Sequence, residues 1–469
     1  MKKGQCYMQY QLRFSGKHFQ TIQQHLFPGD GKEAVAVVLC GRFEKNGLSI
    51  LLTHKVELIP HKECIRDNDK ILWKTDRIIH LIETAEKHKM AILKIHSHPN
   101  SYPYFSKIDD VSDSELFKSV FGWCEYNGVH GSVIMLPDGI MFGRVFTPEL
   151  KQFPINKISV AGDEISILGK TYEKTNDEFS LRTVQSFGEG TYTKLRDMTV
   201  GVIGCSGTGS PTIEQLVRLG VSTLVIVDPD RVEKKNLNRI INSTMANAVA
   251  GTYKVKMLSK SIKKIGLGTK IISFASNLFD NTEILNELIK CDVIFGCIDS
   301  VDGRHLLSQL TNFYLIPYFD IGVRLDADGK GGIKSISANV HYIQPGCSTL
   351  LSRGLYTEKR LFEDGLLRQD PEEFAKREKV GYVHNANVDR PAVISINMQI
   401  SSMAVNEFLN RLHPFKEYSP GHYAKVMMDY CDGCIENAPE WSFVQDKNSD
   451  KWAGRGDCKP FLRMPELSV

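Results

Sequence analysis

The chain has 469 residues, 42% hydrophobic and 24% charged, with 37 Gly and 18 Pro, an ordinary globular composition that can supply more than one core. Lys plus Arg number 58 against 55 Asp plus Glu, and a formal net charge of +3 is too balanced for a chain that neutralises nucleic-acid phosphate along a groove. The opening MKKGQCYMQYQLRF lacks the apolar stretch of a signal peptide, and no run approaches the roughly 18 apolar residues of a membrane span. A soluble, cytoplasmic protein with neither a membrane nor a nucleic-acid partner is expected.

In chain order, the apolar β-branched runs at 34–40, 48–59, 90–98 and 131–137 predict strands, and 73–89 has the periodicity of a helix. Together they predict a compact α/β domain over residues 1–150. Residues 155–169 read as a hairpin turning at Ala-Gly-Asp, and the polar EKTNDEFS that follows reads as a linker, so 151–178 is expected to join two domains. From 179 to 415 strands alternate with helices, starting with MTVGVIG, SPTIEQLVRLG and STLVIVD, which predicts a doubly wound, Rossmann-like parallel sheet. Residues 416–469 show little periodicity and are expected to form an irregular segment. The 11 cysteines are odd in number and scattered, unlike a secreted disulfide framework.

Two stretches carry chemistry. In the first, His96-Ser97-His98-Pro99 follows a predicted strand, so the two imidazoles face one side, and Asp109 lies one turn into a helix that Ser106 can begin. Two His and one carboxylate leave a fourth position open, the ligand count of a catalytic zinc. Glu33, at the mouth of the first apolar strand, is the candidate general base. Each half also has a bland reading, since Ser-x-x-Asp before a helix is an ordinary capping box and His-x-His can be two surface imidazoles. Taken together, an upstream Glu, His-Ser-His-Pro, and Ser and Asp three apart resemble the JAMM metalloprotease motif of the JAB/MPN (Mov34) family over roughly residues 10–150. The resemblance implies a zinc peptidase or isopeptidase that cleaves after the C-terminal glycine of a ubiquitin-like protein. His96, His98 and Asp109 would hold Zn2+, and Ser106 would hydrogen-bond the oxyanion.

In the second, the turn Gly204-Cys205-Ser206-Gly207-Thr208-Gly209 joins a strand to a helix, and Asp228 ends the next strand. Such a turn suits NAD as well as ATP. Downstream stand Asp230, Asn236, Asn238, Arg239, Lys254, Asp299 and Arg304. Hydride transfer needs none of these, whereas attack of a carboxylate on an α-phosphate needs cations, here Arg239 and Lys254, and a carboxylate for Mg2+, here Asp299. These residues apart from Arg304, with Arg182, Phe187 and Gly188 ahead of them, resemble the ThiF/MoeB and ubiquitin-activating superfamily of adenylyltransferases over roughly residues 180–415. Ser206 stands where that family has a Gly, and Ile240 where Gln often follows the Arg. The resemblance implies adenylation of a carrier-protein C-terminus with ATP and Mg2+, and a homodimer in which Arg182 reaches the neighbouring subunit's nucleotide.

Many activating enzymes carry a thioester cysteine in a crossover loop, but 350–392 contains no Cys. Cys347 is the nearest thiol. Cys431-Asp432-Gly433-Cys434 has ligand spacing, and a structural zinc there would draw on Cys347 and on Cys458 or His422. The combined reading is a bifunctional enzyme of a bacterial ubiquitin-like pathway, with a conjugating-enzyme-like protein as a further partner. A sulfur-carrier adenylyltransferase with peptidase processing, and a binding scaffold with degenerate sites, are the alternatives.

Overall fold

The apolar run 34–40 alternates between two cores, which is why it reads as continuously hydrophobic. Ala36 and Val38 join Leu12, Phe14, Ile22, Leu93 and Ile95 on one side of a sheet. Val35, Val37 and Leu39 join Ile92, Phe117 and Val120 on the other. The computed structural model describes residues 8–168, 178–328, 330, 332–379, 393–464 and 467. It divides into two units: Met1–Thr171 with Asn312–Leu315 and Asp450–Val469, and Tyr172–Thr311 with Ile316–Ser449.

The first unit contains β1 Gln9–Ser15, β2 Val35–Lys45, β3 Leu48–Leu58, β4 Ile65–Arg66, β5 Ile71–Leu72, β6 Ala91–Ser97, β7 His130–Met135, β8 Met141–Phe146, β9 Gln152–Pro154, β10 Lys157–Ala161 and β11 Ile165–Leu168. Nine of these form one sheet in the order β11-β10-β1-β3-β2-β6-β7-β8-β9, and β4 and β5 pair separately. Helix Gly16–Leu26 contributes Ile22 and Leu26 to the first core, and helices Ile79–His88 and Lys107–Trp123 cover the second. The helical periodicity expected over 73–89 is taken up by a 3-10 turn, Thr75–Ile78, and the α-helix that follows it.

The second unit carries β12 Thr199–Ile203, β13 Thr223–Val227, β14 Lys270–Phe274, β15 Val293–Gly296, β16 Tyr318–Ala327, β17 Ile333–Ile343, β18 Lys425–Asp429 and β19 Cys434–Ala438. The sheet order is β14-β13-β12-β15-β16-β17-β18-β19, parallel from β14 to β16 and antiparallel beyond. The chain steps outward from β12 to β14 and then returns to the opposite side of β12 with β15. That reversal opens a crevice at the carboxyl ends of β12 and β15, the place where doubly wound sheets bind ligands.

Two expectations about boundaries change. The hairpin at 155–169 is no free-standing connector: β10 pairs in parallel with β1 and carries β11 with it, so both belong to the first sheet. The polar linker falls largely on 173–177, outside the described residues. Within 416–469, β18 and β19 extend the second sheet by pairing on β17, where the unpaired edge backbone recruits short strands that lack apolar alternation. Residues from Asp450 onward count with the first unit. No helix among the described residues is long and apolar enough to cross a membrane.

Candidate functional site

The first site grows from strand parity. Ile92 faces the core under helix Lys107–Trp123, so Lys94, His96 and His98 follow on that side while Ser97 faces the other. Ser97 Oγ accepts the amide of Ala34 at 2.9 Å, which ties the end of β6 to the residue after Glu33. Arg66 Nε donates to the Glu33 carbonyl at 2.6 Å and the Glu33 amide to Asp67 O at 2.8 Å, so the backbone under the candidate base is held from both sides. On the helix, Ser106 is the N-cap of a complete capping box: its Oγ accepts the Asp109 amide at 3.2 Å, and the Ser106 amide and hydroxyl both donate to Asp109 Oδ2 at 2.7 Å.

These elements bring His96 Nε2 within 2.9 Å of Asp109 Oδ1, and His98 Nε2 within 3.6 Å of Asp109 Oδ2 and 3.8 Å of Glu33 Oε1. The ligand atoms of His96, His98 and Asp109 lie within 4.8 Å of one another, the one such group of His, Cys, Asp and Glu among the described residues. Ligands of a tetrahedral zinc with bonds of about 2.0 Å sit roughly 3.3 Å apart, so the spacing fits. The hydrogen bonding fits as well. His98 Nδ1 donates to Tyr102 O at 2.8 Å, which leaves Nε2 with its lone pair towards the cluster. His96 is fully buried, and although Nε2 lies close to Asp109, neither ring nitrogen makes a well-formed hydrogen bond to protein.

Burial pushes Glu33 up to about 7, with His98 opposing and Asp109 adding to the rise. Burial would also raise Asp109, but hydrogen bonds from His96, His98 and Ser106 outweigh it and hold the carboxyl well below the usual range. Under the cluster lies a charged clamp that the motif does not reveal. Lys94 Nζ and Arg144 Nη2 each meet the fully buried Asp113, at 2.7 Å to Oδ1 and 2.7 Å to Oδ2, one helical turn beyond Asp109. Its only sequence signal is the i, i+4 spacing of Asp109 and Asp113. Ser106, expected at the oxyanion, has its hydroxyl engaged by the ligand Asp109 instead.

The second site lies at the crevice between β12 and β15. Gly204 has φ +89°, and a Cβ there would fall 2.3 Å from Cys297 O, so the two strand ends touch. A Cβ on Gly209 would fall 1.7 Å from Gly204 O, and Gly207 packs against Asn397. Ser206 is absent from the residues with positive φ, so a Ser is tolerated in the turn. Asp228 accepts the Cys205 amide at 2.6 Å and the Asp230 amide at 2.8 Å, so this carboxylate braces the glycine turn. Burial pushes its pKa up, with Lys254 and these amides opposing.

Lys254 is buried and bonds Asp230 Oδ2 at 2.7 Å, with Asp228 Oδ1 at 3.7 Å. Asn236 closes a turn by accepting the Glu233 amide at 3.1 Å, and Arg239 donates to Lys235 O and to Asn238 Oδ1. Ile240 is 4% exposed, which accounts for an aliphatic residue where a Gln was expected. Gly204, Asp228, Asp230, Asn236, Arg239, Lys254 and Asp299 line one cavity of about 400 Å3. Asn238 and Arg182 do not; Arg182 is exposed and donates to Gln185 Oε1 at 3.1 Å.

Asp299 also lines a second cavity of about 910 Å3 with Arg304, Arg353, Arg360 and Lys425. Inside it Tyr318 donates to the buried Asp320 at 2.6 Å, and Arg304 Nε lies 3.2 Å from the same oxygen. The sequence reading missed this second cavity apart from Asp299 and Arg304. Asp320, in the apolar run LIPYFDIG, carries no motif that would mark it.

Among the described residues, the cysteines and histidine named for a possible structural zinc do not gather into one group. Cys431 and Cys434 are exposed around the turn between β18 and β19, and His422 is engaged with Ser419 and the Trp441 ring. A hairpin turn with two thiols supplies too few ligands.

A doubly wound sheet with a glycine turn at its switch point, joined to a sheet-and-helix unit with a His-His-Asp cluster, defines a two-unit α/β protein with a nucleotide crevice and a candidate metal centre. The model of the ThiF family matches residues 180–430, more than half of the chain, and that of the prokaryotic homologs of the JAB domain matches 15–139. The chain belongs to the ThiF family and carries a JAB domain ahead of the ThiF domain.

Curated relatives include the ubiquitin-like modifier-activating enzyme 5 of Aedes aegypti, 26% identical over 210 residues, or 42% of this chain and 50% of the relative. That of Drosophila willistoni is 29% identical over 166 residues, or 33% and 38%. The chain thus spans half or less of the length of these relatives. Among solved structures, the microcin C7 biosynthetic enzyme MccB in complex with N-formylated MccA is 14% identical with a TM-score of 0.46, covering 61% of this chain and 78% of that one.

Proposed function

We propose that the chain is a bifunctional enzyme acting on the C-terminus of a ubiquitin-like carrier protein: the ThiF unit adenylates it with ATP, and the JAB unit hydrolyses the peptide or isopeptide bond beyond it. The observation that carries this reading is the pair of adjoining cavities that share Asp299. One is nucleotide-sized, and the other is a cation-lined space that suits an extended protein tail.

For adenylation, the carrier's terminal carboxylate attacks the α-phosphate and pyrophosphate leaves. Arg239 and Lys254 oppose the charge on the triphosphate, and Lys254 exchanges its contact with Asp230 for phosphate. Asp299 would hold Mg2+, which when bound neutralises phosphate oxygens. In the JAB unit, His96, His98 and Asp109 would hold zinc, which when bound supplies Lewis acidity and makes water nucleophilic near neutral pH. Glu33, its pKa about 7, takes the proton from the attacking water and passes it to the leaving amine. Ser106 keeps Asp109 oriented.

Arg182, outside the cavity of its own unit, serves the nucleotide of a second copy, so the adenylating form is a homodimer. Light scattering that finds a monomer with full exchange activity would exclude this. The lack of Cys between 350 and 392 favours a second reading in which the adenylate receives sulfur rather than a protein thiol. A sulfur-donor assay on the isolated adenylate separates the two.

The test is carrier-dependent ATP–pyrophosphate exchange. Asp299→Ala should lower it by about two to three orders of magnitude and leave carrier-precursor cleavage intact, whereas Glu33→Gln should do the reverse. Exchange that survives Asp299→Ala, or tight NAD binding without ATP binding, would overturn the adenylation reading.

A further inference from the structure

Away from both sites, the first unit holds a cavity of about 840 Å3. Its floor is built by close backbone approach. A Cβ on Gly41 would lie 2.2 Å from Gly454 O, and one on Gly454 2.0 Å from Thr53 O. Arg42 and Gly456 form a parallel bridge, the Asp457 amide donates to Arg42 O at 2.8 Å, and His54 Nδ1 donates to Ala453 O at 2.7 Å. The segment 450–464 is thereby fixed across β2 and β3.

This places seven Lys and Arg side chains around one space against two carboxylates, Glu44 and Asp457. Lys87 and Lys89 come from the end of helix Ile79–His88, while Lys451, Arg455 and Arg463 come from the late segment. Cations at a helix C-terminus have an ordinary explanation in the helix dipole. The late-segment residues and Arg42 do not share it. Arg42 is 5% exposed, and its Nη2 donates to Met90 O at 3.2 Å. Among the described residues its Nε and Nη1 have no hydrogen-bond partner, and Glu44 Oε1 stands 3.6 Å from Nη1. Asp457, for its part, accepts from Tyr314 Oη at 2.6 Å. Burial, followed by Arg455 and Lys87, also holds His88 below its usual range, consistent with positive potential there. The volume is that of a small-molecule pocket, and Tyr126 and Trp452 add aromatic wall.

We propose that this cavity binds a small anion carrying two or more phosphoryl groups, with Arg42 at its floor and Lys87, Lys89 and Arg455 on its rim. Forked guanidinium donors and flexible ammonium groups suit phosphate oxygens, and a ligand there would tie the late segment to the sheet.

The test is calorimetric titration of the full chain with inorganic tripolyphosphate. We expect binding that the exposed pair Lys87→Glu/Lys89→Glu weakens about tenfold or more, that Arg455→Glu weakens likewise, and that survives Lys254→Ala in the adenylation cavity. In the Lys254→Ala chain, displacement by ATP assigns the site to nucleoside polyphosphates, and displacement by pyrophosphate alone assigns it to inorganic ones. No heat with tripolyphosphate up to about 1 mM, binding indifferent to both charge reversals, loss of all binding on Lys254→Ala, or binding of an acidic peptide in place of every phosphate would each overturn the proposal.

Discussion

His130 shows how one buried side chain sets a pH limit. It lies fully inside the first unit, with Nδ1 accepting the Ile92 amide at 2.9 Å, and burial holds its pKa well below the usual value. The unfolded chain protonates this imidazole near 6.5 while the folded chain keeps it neutral. The stability it contributes is therefore whole above pH about 6.5 and is lost as pH falls, at up to about 1.4 kcal/mol per unit. Urea midpoints at pH 7.5 and 5.5 should show this slope, and His130→Gln should reduce it by about one proton. The candidate metal centre sits at the same scale. Wild-type protein prepared without chelator should hold stoichiometric zinc, His98→Ala should lose it, and Glu33→Gln should retain it while losing cleavage. Elemental analysis beside a peptidase assay decides both.

Elements turn such residues into geometry. The capping box that begins helix Lys107–Trp123 orients Asp109, so Ser106→Ala should cost about 1 kcal/mol of stability and weaken zinc binding about 10- to 100-fold, read by competition with a chromophoric chelator. Ser106→Thr, which preserves the cap, should recover most of both. In the other unit, Gly209→Ala forces a methyl carbon against Gly204 O, so nucleotide exchange should fail while cleavage continues.

The parts legible in the sequence were those that local periodicity dictates. Parity on β6 put His96 and His98 on one face, Ser-x-x-Asp announced the helix start, and the glycine turn with Asp228 located the crevice. What was missed depends on distant pairing. β10 beside β1 and β18 on β17 are set by free sheet edges, and the Lys94–Asp113–Arg144 clamp gathers three separate elements. Asp320 gains its meaning only from Arg304, whose Nε lies 3.2 Å away and whose place beside β16 no local pattern encodes.

At the scale of the whole molecule, the His-His-Asp cluster falls in one unit and the cavity at the glycine turn in the other, so the two should answer different ligands. Chelation should lower the melting transition of the JAB unit and leave that of the ThiF unit in place. ATP at about 100 times its Kd should raise the ThiF transition by the equivalent of about 2.7 kcal/mol. Calorimetry with a JAB-specific cleavage readout distinguishes these effects, and a single transition moved equally by both treatments would refute the separation.

The assignment of Asp450–Val469 to the first unit has a consequence for biosynthesis. The ribosome makes the first sheet early, then the entire adenylating unit, and only afterwards the residues that cover Gly41 and Thr53. At about 5–20 residues per second the interval is on the order of tens of seconds, during which the nascent first unit stands with strand backbone bare. A chain interrupted anywhere in that interval leaves the ribosome with its JAB unit unfinished. Translation itself thus links the completed JAB unit to the ThiF unit one to one, because the JAB unit is finished only in chains whose ThiF unit has already been made.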